Sequence, residues 1–241
     1  MQRSGYRTKQ KMEENNTPEE KTQTCRRCGE CCQRGGPALH AVDRPLVEKG
    51  LIPAACLYTI RPGEPVRDNV AGRLTFAEAD IIKIKGTADE WTCCFLAPNG
   101  QGCRIHANRP EECRQMQCWD TRAIEALYRQ DRITRKDLLG GLAELWKLIA
   151  HHEERCAYRR LRDFVPELSA SSTARRKALA AIRDMVRYDE SLRALLVEKG
   201  QAQADMLDFL LGRPLTRTLT GFHIQVDRSD DAIRLVYTPL T

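Results

Sequence analysis

Between positions 57 and 106 the apolar residues come in short runs, separated by residues that favour turns. In residues 57–68 a Pro-Gly pair separates two extended pieces, which indicates two strands joined by a turn. Apolar and polar residues alternate at the end of residues 81–85, as they do in a half-buried strand. Residues 91–106 have the pattern of a hairpin whose turn lies at residues 99–102. This part of the chain therefore predicts short strands and turns.

From position 120 to about position 212 the pattern is that of helices. One apolar stripe at helical spacing consists of Leu138, Leu142, Leu145, Leu148 and Ile149. Gly212 and Pro214 are stop signals, and residues 220–239 predict two strands around a polar turn at 227–231. The pattern predicts an α+β fold. We expect the helices to cover the apolar back of the strand-rich part, and the C-terminal β-hairpin to extend its strands.

The composition indicates the cellular compartment of the protein and the kinds of partner that it can have. Its 241 residues include 30% charged residues and carry a formal net charge of +6, spread along the chain, which predicts a mildly basic surface rather than a nucleic-acid-binding one. The first 24 residues contain no apolar run, so we expect a disordered tail and no secretory signal. No stretch approaches the roughly 18 apolar residues that identify a membrane span. These features predict a cytoplasmic protein without a membrane partner, whose partner is an unidentified protein or small molecule.

The chain contains 11 cysteines, and in a reducing cytosol clustered cysteines favour a metal over disulfides. The segment "CRRCGECC" supplies the first four candidate ligands: Cys25, Cys28, Cys31 and Cys32. Four more candidates follow, with Cys94 as an alternative to the first of them: Cys93, Cys103, Cys113 and Cys118. C-x2-C spacing brings two thiolates to one metal, and it occurs in both zinc and iron–sulfur sites. Eight thiols suffice for two four-coordinate sites, or for one site with additional redox-active thiols.

Residues 108–117 predict a helix that is capped by Asn108, with Pro110 in its first turn. Cys113 would lie in the first turns, where the helix dipole favours a thiolate. Cys118 is five residues further on, so the helix must end or bend near Met116 if both thiols bind one centre. Arginines that flank the cysteines could offset the negative charge of a thiolate centre: Arg26, Arg27, Arg34, Arg104, Arg109 and Arg114.

Over residues 25–120 the sequence resembles the CxxCxxCC, or YkgJ-type, cysteine-cluster family, whose members are described as zinc- or iron-chelating domains. The resemblance is carried by "CRRCGECC" and by "CCFLAPNGQGCRIHANRPEECRQMQC". In the second segment the matching positions are Cys93 or Cys94, Cys103, Arg109, Pro110, Cys113, Arg114 and Cys118. We favour Cys93 over Cys94. His106 replaces the usual tyrosine of the family, and we expect it to pack rather than to bind metal. The resemblance implies metal binding without implying a reaction.

These features divide the chain into a tail (1–24), a CxxCxxCC metal-binding domain (25–120) and a helical region that ends in a β-hairpin (121–241). The favoured function is an iron-bearing protein, with an iron–sulfur cluster or mononuclear iron, in redox chemistry or protein modification. The alternative is a zinc-stabilised interaction module without catalysis, and a weaker third is metal trafficking; whether the chain is an enzyme stays open. Outside the motif, we expect His151, His152 and Cys156 at a solvated helix end, and Cys56 as a small buried residue.

Overall fold

The computed structural model describes residues 25–87, 91–229 and 232–239. The predicted disordered tail at residues 1–24 lies outside these ranges. Strands in the described ranges are short: β1 (Leu57–Ile60), β2 (Pro65–Asp68), β3 (Arg73–Phe76), β4 (Ile81–Ile84), β5 (Ile224–Ser229) and β6 (Ala232–Tyr237). They form antiparallel pairs β1–β4, β2–β3 and β5–β6. The strands expected in residues 57–68 and 81–85 are therefore confirmed.

Helices dominate after residue 120, as the apolar stripe predicts. The described helices are α1 (Glu30–Gln33), α2 (Arg44–Glu48), α3 (Glu111–Gln115), α4 (Arg122–Leu127), α5 (Arg135–Leu139), α6 (Ala143–Arg155), α7 (Tyr158–Leu168), α8 (Ser172–Glu198), α9 (Leu207–Leu210) and α10 (Leu215–Thr218). Within the described ranges, none of these helices has both the length and the apolar character that crossing a bilayer demands. Helices and small antiparallel sheets together make this an α+β protein.

Two hydrophobic clusters form the core. The first lies behind the cysteine-rich segments and combines Leu57 and Ile84 of the β1–β4 pair with Ile149 of α6, Leu196 of α8 and Phe209 of α9. The helices thus cover the apolar back of the strand-rich part. The second cluster joins α7, α8 and the C-terminal hairpin through Tyr158, Leu161, Ile182, Phe222 and Leu235.

Two local expectations are wrong. The C-terminal hairpin does not extend the strands of the first part, because β5 and β6 pair only with each other and bury Ile224 and Leu235 in the second cluster. The stripe from Leu138 to Ile149 is also interrupted. The helix stops at α5 and restarts as α6 beyond Gly140 and Gly141, which leaves Leu142 57% exposed.

A buried group of charged side chains links the strand-rich part to the helices. The Arg135 guanidinium donates to both carboxylate oxygens of Asp80, at 2.9 and 2.8 Å, and to Glu153 Oε2 at 2.8 Å. Arg61 is fully buried, and its Nη1 lies 3.5 Å from Glu153 Oε1. Because Glu153 belongs to α6 while Arg61 and Asp80 flank the short strands, these ion pairs fasten the two parts of the molecule together.

Candidate metal centre

The first cysteine block is held in place by a glycine. Gly29 precedes α1 in the left-handed region (φ 82°), and a Cβ there would lie 2.3 Å from the backbone oxygen of Gly100. An L-residue disfavours this conformation, and no side chain fits so close an approach. The turn between Cys28 and Cys31 therefore packs directly on the loop that carries Cys103.

Backbone hydrogen bonds join the same two segments. The Cys93 amide donates to the Cys32 carbonyl at 2.7 Å, and the Gly102 amide donates to the Arg27 carbonyl at 2.9 Å. Gly36 adds a second close approach, since a Cβ there would lie 2.2 Å from the Ile84 backbone oxygen. Cys32 and Cys93 are thus neighbours by main-chain geometry, independently of any metal.

The expected hairpin in residues 91–106 is an irregular loop rather than a pair of strands. Leu96 and Cys103 form an isolated bridge, and the Arg104 amide donates to the Phe95 carbonyl at 2.9 Å. The Phe95 ring is buried in the first hydrophobic cluster. The loop thereby anchors its apolar residue inside and returns Cys103 to the side of Cys93.

Cys113 lies on helix α3, which is the third segment that carries candidate ligands. Its start is fixed by Asp43, whose Oδ1 accepts from the Glu111 amide at 2.9 Å, and by Glu112, whose Oε2 accepts from the Ala38 amide at 2.7 Å. Pro110, not Asn108, precedes the first helical residue. The helix ends at Gln115 and Met116 is extended, so the termination expected near Met116 is present.

Five thiols act on one another electrostatically: Cys31, Cys32, Cys93, Cys103 and Cys113. Burial raises the pKa of the Cys113 thiol, and nearby Cys93 and Cys31 raise it further. Burial also raises the pKa of Cys103, with Cys93 adding to the rise. We call these five residues the inner thiols. They come from three separate segments of the chain.

The raised pKa of Cys113 contradicts the expectation that the helix dipole favours its thiolate. Helix α3 has only five residues, whereas burial and the neighbouring thiols both oppose a further negative charge. A bound cation would reverse this balance, because metal binding displaces the thiol proton.

In each pair of adjacent cysteines the two thiols shift each other's pKa in opposite directions. A hydrogen bond from Cys32 lowers the pKa of Cys31 to about 6. A hydrogen bond from Cys94, supported by the Phe95 and Leu96 amides, lowers the pKa of Cys93 to about 7. Cys93 acts on the inner thiols, whereas Cys94 interacts with Cys93 and Cys56. This placement supports Cys93 as the candidate ligand of the two, which stays a prediction.

The other three predicted ligands are placed differently. Cys25, Cys28 and Cys118 are exposed, as Cys31 is, but they are not among the main electrostatic influences on the inner thiols. No disulfide joins any of the cysteines, all of which lie in the described ranges. Five of the eight candidates are therefore linked electrostatically, and we call the other three, which are exposed, the rim thiols.

Positive charge lies close to the inner thiols. The Arg109 guanidinium lowers the pKa of Cys103 against the larger effect of burial. The same guanidinium donates to the His106 carbonyl at 3.0 Å and lies 3.5 Å from His106 Nδ1. Burial and Arg109 together lower the pKa of His106. Arg109 can therefore offset part of the charge of a thiolate centre, as the sequence suggested.

A second group of potential metal ligands lies between helices α6 and α8. His152 and Cys156 belong to it, and both are buried, so the expectation that they lie at a solvated helix end is wrong. His152, Cys156 and Asp189 are buried, with one potential ligand atom of each within 4.8 Å of the others. Sequence reasoning missed the group because Asp189 comes from α8, although the i, i+4 spacing of His152 and Cys156 on one helix face was visible.

The Asp189 carboxylate of this second group already accepts three hydrogen bonds. Asp189 Oδ1 accepts from His152 Nε2 at 2.8 Å and from Arg193 Nε at 2.9 Å, while Oδ2 accepts from the Leu215 amide at 2.9 Å. The neighbouring Arg193 and Arg61 guanidinium groups would repel a cation. We therefore interpret the group as a hydrogen-bonded joint between α6, α8 and the segment before α10.

Comparison with known families agrees with the cysteine geometry. Residues 24–136 match the family model CxxCxxCC, whose description is "Putative zinc- or iron-chelating domain". No curated protein and no solved structure matches the chain. The match contains all of the inner and rim thiols and ends before α6. Residues 24–136 of this chain are therefore similar to the CxxCxxCC family, which is described as a zinc- or iron-chelating domain.

Proposed function

We propose that the chain holds iron through cysteine thiolates and uses it in redox chemistry or protein modification. The observation that supports this proposal is the electrostatic interaction among five thiols from three segments, which are α1, the 93–104 loop and α3. Thiolates are the ligands that iron–sulfur clusters and many iron sites use, and the family description names iron as one of two metals.

The ligand set that we propose keeps all eight predicted cysteines. The inner thiols supply the ligands of one centre. Cys25, Cys28 and Cys118 stand exposed at its rim, and they serve either to complete a larger cluster or to hold a second metal. A centre with thiols left in solvent is accessible to a redox partner or a substrate, whereas structural zinc sites are closed. This exposure favours a reactive centre.

Zinc in a purely structural role is the second candidate, and a specific observation favours it. Around the inner thiols the regular elements are very short, since α1 has four residues and α3 five, and α1 contains no buried residue. Such segments gain little stability from apolar burial, so a metal that cross-links them would contribute to folding directly. In this case the domain would be an interaction module without catalysis.

The test that separates the two metals is purification of the full chain without oxygen, followed by iron, zinc and acid-labile sulfide analysis and a visible spectrum. We expect stoichiometric iron with a brown colour, and sulfide if the iron is in a cluster. A colourless protein with stoichiometric zinc would overturn the iron proposal in favour of the structural one. A protein that binds neither metal would overturn both.

A second experiment tests the ligand set with matched neighbours. We expect Cys93→Ser to lower the metal content several-fold, because Cys93 lies among the inner thiols. Cys94→Ser keeps a hydrogen-bond donor beside Cys93 and should retain the metal. The reverse result would make Cys94 the ligand. Separate Cys31→Ser and Cys32→Ser variants then ask whether both adjacent thiols serve one centre, and unchanged metal content in either would reduce the eight-ligand set.

The setting of this function is also part of the proposal. Eleven cysteines without a disulfide suit a reducing cytosol, where thiolates remain available to a metal. We propose a cytoplasmic protein whose partner is a protein or a small molecule that reaches the exposed rim.

A further inference from the structure

The positive charge of the chain is concentrated in one stretch, which runs from the end of α6 to the middle of α8. Residues 155–187 contain nine cationic and three acidic side chains, so their net charge of +6 equals that of the whole chain. The expectation that the charge is spread along the chain is therefore wrong. The cations are Arg155, Arg159, Arg160, Arg162, Arg175, Arg176, Lys177, Arg183 and Arg187.

The fold turns these cations outward. Helices α7 and α8 contribute Leu161 and Ile182 to the second hydrophobic cluster, while all of the cations are exposed except Arg183, which is half-buried. Ion pairs neutralise little of this charge. Within the described ranges, Arg187 is the member of the set that meets a carboxylate, and its Nη1 lies 3.9 Å from Asp184 Oδ1. We call this surface of residues 155–187 the basic face.

Cations from three helices meet around Tyr188 on α8. The Arg155 guanidinium, at the end of α6, lies over the Tyr188 ring with its Cζ 4.5 Å from the ring centroid. Arg160 Nη1, on α7, donates to the Arg155 carbonyl at 3.1 Å. The His151 ring stands edge-on to Tyr188, with the ring centroids 6.0 Å apart. Because these contacts are made to a ring and a carbonyl rather than to carboxylates, they orient the guanidinium groups without neutralising them.

A line of arginines continues from Tyr188 along α8. Arg176, Arg183 and Arg187 are spaced at i, i+7 and i+11, which places them on one side of the helix. A rise of 1.5 Å per residue separates Arg176 and Arg187 by about 17 Å along the axis, which is the length of roughly five phosphates in one strand of a nucleic-acid duplex. Arginine suits such a partner because its planar guanidinium binds two phosphate oxygens at once.

The composition of the basic face distinguishes among anionic partners. Residues 155–187 are all described, and none of their large hydrophobic side chains is exposed. A helix that binds a membrane surface buries an apolar face in the lipid, and protein–protein interfaces have an apolar and aromatic core. Interfaces with nucleic acid are more polar and much more positively charged. A cationic face without exposed apolar groups therefore fits nucleic acid best.

We propose that the basic face binds the phosphate backbone of double-stranded nucleic acid without reading its sequence. The Arg155 guanidinium occupies one side of the Tyr188 ring and His151 stands at its edge, which leaves little room for stacking an unpaired base. This binding is independent of the proposed iron function, because the basic face lies outside residues 24–136 and contributes none of the candidate ligands.

The experiment uses the full chain as purified and a short fluorescein-labelled DNA duplex of mixed sequence, with binding followed by fluorescence anisotropy at several salt concentrations. We expect Kd to rise steeply with salt, with a log–log slope of about 4 if about five phosphates are neutralised. An RNA duplex of the same sequence and a DNA duplex of unrelated sequence should bind with similar Kd, because all three present the same phosphates.

Two matched triple variants locate the binding surface. The first carries Arg160→Gln, Arg176→Gln and Arg187→Gln. It should raise Kd about ten-fold or more and lower the salt slope by about 3, because each lost phosphate contact lowers the slope by about one. The second removes the same charge from exposed positions outside the basic face, with both values retained: Lys49→Gln, Arg67→Gln and Lys199→Gln. Circular dichroism of both variants checks that the fold is intact.

Several results would overturn the proposal. Failure to bind either kind of duplex at low salt would do so directly, and equal Kd for the two triple variants would place the binding elsewhere on the chain. Binding to vesicles that contain phosphatidylserine, without binding to a duplex, would make the basic face a membrane surface. Poly-glutamate that displaces the labelled duplex as well as unlabelled duplex does, at equal charge, would favour an acidic protein. Metal content enters none of these measurements, so this proposal and the iron proposal fail separately.

Discussion

Single residues without a reactive side chain determine how closely the cysteine-bearing segments approach one another. Gly29 is the clearest example, because a Cβ there would meet the Gly100 oxygen at 2.3 Å, far inside van der Waals contact. The cysteine motif therefore depends on a glycine that cannot be replaced by a residue with a side chain without separating two cysteine-bearing segments.

We predict that Gly29→Ala lowers both the thermal midpoint and the metal content. The left-handed backbone alone costs a non-glycine residue about 1–2 kcal/mol, and the clash with Gly100 must in addition push the first block away. Gly72→Ala is the control, since Gly72 has φ 67° and no heavy atom within 4 Å of its added Cβ. Thermal melts and metal analysis of both variants provide the measurement. Equal losses in the two variants would show that the close approach to Gly100 does not matter.

At the scale of elements, the sequence predicted the strands and helices whose formation is determined by residues close together in the chain. The alternation in residues 81–85 predicted β4, and the charge and proline pattern before Cys113 predicted the helix α3. Its end near Met116 was expected on the condition that Cys113 and Cys118 bind one centre. Features that depend on distant residues were not predictable. Nothing local to α3 shows that Asp43 fixes its start, and nothing in residues 220–239 shows that the hairpin packs on the second cluster.

The candidate site likewise has features that the local sequence predicts and features that depend on residues far apart in the chain. Motif spacing identified Cys31, Cys93, Cys103 and Cys113, whose charges act on one another in the structure. It could not reveal that backbone hydrogen bonds join Lys85 to both Cys56 and Cys94, because these segments meet only in the folded chain.

Helices α6 and α8 are joined by a buried histidine–carboxylate pair that makes stability depend on pH. Burial lowers the pKa of His152 below its ordinary 6.5, against the opposing hydrogen bond to Asp189. Burial raises the pKa of Asp189, but the hydrogen bond from His152 and the Arg193 charge outweigh it, so the pKa falls below 3.8. At acidic pH the unfolded state therefore binds more protons than the folded state at both groups.

We predict that these two groups make the free energy of unfolding fall as the pH drops. The His152 contribution is complete above pH 6.5 and is lost as the pH falls below it, and the Asp189 contribution follows below about pH 3.8. Urea unfolding between pH 7.5 and about pH 5 measures the first step. His152→Gln should be less stable and should show a weaker loss between these values than the parent chain. An identical pH dependence in both proteins would contradict the assignment to His152.

At the scale of the whole molecule, two hydrophobic clusters must act together if the metal-bearing part is to be held rigidly. The link is the buried group around Arg135, which pairs with Asp80 beside β4 and with Glu153 on α6. Glu153 also lies 3.5 Å from the Arg61 guanidinium, which stacks over the Tyr158 ring of the second cluster. Side chains of Arg135 and Asp80 are only 3% and 9% exposed, so a charge left alone there cannot be compensated by water.

We predict that Asp80→Asn lowers the free energy of unfolding by about 3 kcal/mol, because it removes the bidentate negative partner of a buried guanidinium and leaves only Glu153 to offset that charge. The control is Asp120→Asn, which breaks a salt bridge to Arg122 whose side chains are 32% and 88% exposed and should leave the urea midpoint unchanged. We expect the two substitutions to differ in the same direction in their effect on metal retention. If the first cluster supports the inner thiols, Asp80→Asn should lose its metal at a lower urea concentration than the parent chain, while Asp120→Asn should not. Equal midpoints for the two variants would show that the buried ion pair does not couple the helices to the metal-bearing part.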